Sequence, residues 1–63
     1  MFEVGDRVAA VTDDYLNGKL GTVAEDYPGY DKGVGVVLDE DVEADRTALV
    51  LLFLNSELRK VDA

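Results

Sequence analysis

Five carboxylates fall within seven residues, at Asp39, Glu40, Asp41, Glu43 and Asp45, the densest group of potential ligands in the chain. Asp39, Asp41, Glu43 and Asp45 occupy alternate positions, the spacing of the first ligands in a calcium loop. That loop needs a glycine where Ala44 stands and a closing bidentate glutamate where Val50 stands. No dedicated metal site is therefore expected, and the carboxylates read as a solvated acidic loop. With no His and no Cys in the chain, the usual nucleophiles, bases and zinc ligands are missing. Ser56 has no base beside it and reads as a turn cap. The expectation is no enzyme, no catalytic residue and no cofactor.

Tyr15, Tyr27 and Tyr30 are the other chemically distinctive side chains. All three fall near turn signals, so one reading is an aromatic groove rimmed by acids, suited to an arginine-containing segment. The other is that Tyr27 and Tyr30 brace the Pro28-Gly29 turn.

The elements that must position these groups read as short strands. Val8 and Ala10 alternate with Arg7, Ala9 and Val11. Asn17-Gly18 marks a turn with positive φ, and a second strand follows over 22–26. Gly33–Asp39 is a third strand with Val34, Val36 and Leu38 on one face and glycines opposite. Residues 48–54 form an unbroken apolar run, so both faces of that segment favour leaving water. A helix over 43–60 is the rival on propensity, but a helix apolar all round is costly on a small surface. The strand reading is preferred.

The pieces Val4–Val8, Gly18–Val23 and Gly33–Asp39 together resemble the small SH3-like barrels. The first two are similar to the KOW motif, and the third to the glycine-rich strand of CAP-Gly domains. Phe53, Leu58 and Val61 resemble the F-x-x-x-x-L-x-x-V close of such barrels. The resemblance implies an all-β fold: a single domain over 1–63, five strands in an SH3-like barrel, with a short 3₁₀ turn before the last. Ligand signatures of those families are absent. Carboxylates at Asp13, Asp14, Glu25 and Asp26 stand where nucleic-acid-binding KOW segments carry Lys and Arg. The Gly-Lys-Asn-Asp-Gly loop of CAP-Gly domains and the aromatic segment of true SH3 domains are missing.

If Phe53 points inward, alternation turns Leu49 and Leu51 inward too and leaves Val50, Leu52 and Leu54 outside, beside Val37. Such a row exceeds what a monomer usually exposes. Covering it contributes about 1.5–3 kcal/mol per side chain. The competing expectation is that the Met1-Phe2 arm or a loop roofs the row within the same molecule.

A chain of 63 residues buries a limited core and has no disulfide to reinforce it, so a partner subunit is the remaining support. The net charge of −8 repels nucleic acid and anionic membrane and favours a basic partner, or acts only to keep the chain soluble. Met1 runs directly into Phe2-Glu3-Val4 with no signal peptide, and no apolar run reaches the roughly 20 residues of a membrane span. The expectation is a soluble cytoplasmic protein that works as a protein-interaction module or accessory subunit. It would form a homo-oligomer or a hetero-complex through Val37, Val50, Leu52 and Leu54 and through the acidic loop with its tyrosines. The alternatives are a nucleic-acid mimic that occupies a DNA- or RNA-binding protein, and a KOW-type nucleic-acid binder.

Overall fold

The computed structural model describes residues 2–27, 33–44 and 49–61. Five strands form a single antiparallel sheet: β1 (Arg7–Ala10), β2 (Leu20–Tyr27), β3 (Gly33–Leu38), β4 (Val50–Leu54) and β5 (Leu58–Lys60). Their order is β4-β3-β2-β1-β5, so β4 and β5 are the two edges. A short helix α1 (Asp39–Glu43) follows β3, and a 3₁₀ turn (Asn55–Glu57) joins β4 to β5. No helix among the described residues is long and apolar enough to cross a membrane.

The core lies on one face of this sheet, because side chains of matching parity meet across every strand pair. Val34, Val36 and Leu38 of β3 point into it, with Val8 and Ala10 from β1, Val23 from β2, Phe53 from β4 and Leu58 from β5. Phe2, Leu16 and Leu51 pack partly buried against its margin. Phe2 therefore closes the core and does not roof the opposite face of β4. The spacing of Phe53 and Leu58 works as expected: both are buried, one on each side of the 3₁₀ turn.

Register along β2 slips by one residue. Val23 pairs with Val36, but Glu25 pairs with Gly35, leaving Ala24 as a bulge. Without the slip, period-two alternation would turn Glu25 to the same side as Val23 and bury a carboxylate. The bulge puts Glu25 opposite Gly35, on the outer face, and bends the strand.

Two glycines answer to specific geometry. Gly18 sits at φ +85 and its N–H donates to the carbonyl of Ala10, which closes the β1–β2 loop. Gly21 lies where β2 approaches β3 so closely that a Cβ would stand 2.7 Å from the Val37 carbonyl oxygen.

Two expectations are corrected. Asp39–Glu43 is a helix, not a loop, and β3 stops at Leu38. Four of its five residues are acidic, three of them in its first turn, where the helix dipole favours negative charge. Leu49 does not turn inward; it is 65% exposed. Pairing between β3 and β4 ends at Val37 with Val50, so no neighbouring strand holds Leu49 against the core. The strand reading of the apolar run holds over Val50–Leu54.

Candidate functional site

The outer face of the sheet divides into a polar half and an apolar half. On the β1–β2 side, Arg7 reaches across Thr22 to Asp39 at the start of α1. Its Nη1 donates to Thr22 Oγ1 at 2.8 Å and to Asp39 Oδ1 at 2.7 Å, while Nη2 donates to Asp39 Oδ2 at 2.5 Å. The two-point bond from the guanidinium holds the Asp39 carboxyl below its usual pKa, against the opposing cost of partial burial. Lys19, at the base of the β1–β2 loop, pairs with Glu40 at 2.9 Å. These two pairs dock α1, which has no buried residue of its own, against the sheet.

On the β3–β4 side the outer positions carry no polar group. Val50 faces Val37, Leu52 faces Gly35 and Leu54 faces Gly33. Val50, Leu52 and Leu54 are 43%, 61% and 42% exposed, and Val37 is half-buried. The absence of side chains at Gly33 and Gly35 is the local reason. A leucine on β4 leans over bare backbone instead of against a neighbour, and Leu52 Cδ1 lies 3.1 Å from where a Cβ on Gly33 would stand. Across Gly35, the same row ends at exposed Glu25 of β2. The structure thus brings Val37, Val50, Leu52 and Leu54 together on one face, as alternation predicts.

The acidic residues are arranged differently from the expected loop. In a helix, alternate residues point to opposite sides, so Asp39, Asp41 and Glu43 do not converge as loop ligands would. Asp39 and Glu40 are turned to Arg7 and Lys19. Asp39, Glu40 and Glu43 line a shallow depression of about 260 Å³ with Lys19 and Leu20. Its charges are partly satisfied from within. No group of three or more potential ligands among the described residues is placed to hold a metal ion. Asp45 lies outside the described residues.

Tyr15 is 81% exposed at the tip of the β1–β2 loop. Asp14 organises that loop by accepting hydrogen bonds from Thr12 Oγ1 at 2.6 Å and from the Leu16 N–H at 3.0 Å. Both bonds lower the Asp14 pKa, the Thr12 hydroxyl more strongly. Tyr27 ends β2, but its side chain and the whole of Tyr30 lie outside the described residues, so the tyrosine groove is not assembled here.

One residue with a bearing on this surface escapes the sequence reading. Glu57, in the 3₁₀ turn, accepts the N–H of Leu54 at 2.9 Å through Oε1. A glutamate three residues after the end of a strand is the available signal, since it fits the second half of a capping box.

No protein-family model, curated protein or solved structure matches the chain.

Proposed function

We propose that residues 1–63 form one SH3-like barrel that serves as a docking module and not as a catalyst. Its partner is a protein with a basic surface, held against the apolar row of β4. Supporting the barrel are the β4-β3-β2-β1-β5 order, the bulge at Ala24, the single-sided core and the 3₁₀ turn before β5. The observation that carries the docking role is the exposed row Val50, Leu52 and Leu54 beside two bare glycines.

Charge selects the partner. A net −8, with Glu25 in the row of Leu52 and α1 immediately before the β4 region, favours a basic surface and disfavours nucleic acid. Magnitude limits what the row achieves alone. Each side chain is already about half covered, so burying the remainder contributes about 1 kcal/mol apiece. Three such contributions do not offset an association cost of about 4–15 kcal/mol. The apolar row needs electrostatic attraction or backbone hydrogen bonds beside it.

The test is affinity capture from host extract with wild type and with Leu52→Glu, at low and at high salt. The expected result is a basic protein retained by wild type, lost with Leu52→Glu and weakened by salt. The same proteins retained by both forms, with the same oligomeric state, remove the row as a docking surface. A partner lost with salt but indifferent to Leu52→Glu indicates charge mimicry instead.

A further inference from the structure

We propose that β4 accepts an additional strand: an extended segment of the partner, with alternating aliphatic residues and flanking Lys or Arg, pairs with its free edge at Val50 and Leu52. The proposal rests on the docking reading above and specifies how that docking is made.

The backbone carries the argument. β4 pairs with β3 alone. In an antiparallel pair, alternate residues aim both N–H and C=O at the neighbouring strand, and the residues between aim theirs away. The Leu54 N–H is given to Glu57 Oε1 and not to β3. Leu54 is therefore one of the residues that aim away, and by alternation so are Leu52 and Val50. Their side chains are those of the exposed row. Main-chain groups for pairing and side chains for apolar contact thus belong to the same residues. Glu57 occupies the edge at Leu54, so an added strand finds its open positions at Val50 and Leu52.

The opposite edge of the sheet provides an internal control. β5 is three residues long, and two of them, Arg59 and Lys60, are exposed and charged. Short length and edge lysines are common protections against strand addition. β4 has neither: Leu49–Leu54 contains no charge and no proline. Leu51, half-buried at the margin of the core, would be covered further by a strand laid alongside.

Charge again chooses the occupant. A second copy would bring −8 against −8, whereas a segment flanked by Lys or Arg meets Glu25 and the carboxylates of α1 with opposite sign.

The test uses a synthetic peptide in which valines alternate with threonines between lysine pairs, added to the full chain, with amide hydrogen exchange read residue by residue. The expected result is exchange at Val50 and Leu52 slowed by about tenfold or more, with the β5 edge unchanged. The same peptide methylated on its valine amides, and a version with glutamate in place of lysine, should have no such effect. No slowing at millimolar lysine peptide overturns the proposal. An equal effect from the methylated peptide also overturns it, because contact is then through side chains; the docking reading survives if Leu52→Glu still releases the partner. Concentration-dependent protection of Val50 and Leu52 without any peptide assigns the edge to a second copy and overturns the basic segment.

Discussion

Arg7 and Asp39, 32 residues apart in sequence, meet through a two-point hydrogen bond that ties the first strand to the start of the helix. Arg7 passes over Thr22 on the way, so one side chain spans the outer face of β2 and joins three elements. Both partners remain about a third exposed, so the pair owes its worth to geometry more than to Coulomb attraction in a dry interior.

This pair gives stability a definite dependence on pH. The Arg7 hydrogen bonds hold the folded Asp39 pKa below its model value of 3.8. Between the folded and unfolded values the unfolded chain binds more protons, so stability rises with pH. The contribution is complete above the unfolded value and is lost as pH falls through the folded one. Asp39→Asn should therefore be less stable than wild type near neutral pH, and the difference should shrink toward zero in acid. Urea midpoints for both proteins, from about pH 7 down to about pH 2, check it. A gap that stays constant over that range contradicts the pairing.

Neighbouring residues on β4 should respond in opposite ways to truncation. Phe53 is 3% exposed in the core, and Phe53→Ala should cost about 3–5 kcal/mol. For 63 residues the usual total stability is roughly 3–9 kcal/mol, so that variant should be largely unfolded. Leu52→Ala, on the exposed row, should change stability by no more than about 0.5 kcal/mol. Circular dichroism during urea titration of both variants reads this directly. Equal losses would mean that the two faces of β4 are not distinct.

Gly21→Ala should destabilise the junction of β2 and β3. The added methyl would lie 2.7 Å from both Val36 Cγ1 and the Val37 carbonyl oxygen. A side-chain methyl can rotate aside, but a carbonyl held in the sheet cannot, so the expected loss is about 1–3 kcal/mol. Gly18→Ala is a different case, with open space around the site and strain only from φ +85, and about 1 kcal/mol is expected. Thermal melts of the two variants should rank them in that order.

Glu57→Ala should free the Leu54 amide. In wild type that amide exchanges more slowly than those of Val50 and Leu52, because Glu57 accepts its N–H while theirs face the open edge. Removing the carboxylate should bring Leu54 to the fast rate and cost about 0.5–1.5 kcal/mol. Residue-resolved hydrogen exchange on the free chain measures both effects. Slow exchange at Val50 and Leu52 in the dilute wild-type chain contradicts the edge geometry.

Much of this could be read from local pattern, because a strand repeats every second residue and needs no knowledge of its neighbours. Val34, Val36 and Leu38 marked the core face against Gly33 and Gly35. Asn17-Gly18 marked a turn, and Phe53 with Leu58 marked the close. From these alone came the exposure of Val50, Leu52 and Leu54. Which residues finish or break a pairing is a long-range matter, and there tertiary structure decided. Leu49 continues the inward parity of Leu51 and Phe53 yet stays in solvent, since β3 has already turned into α1 beside it. Glu25 reaches the outer face only through the bulge at Ala24, and Asp39 begins a helix where the strand pattern ran on. Alternation records which way a side chain points once a strand is paired; it holds no record of where the partner strand ends, slips or sends an arginine across.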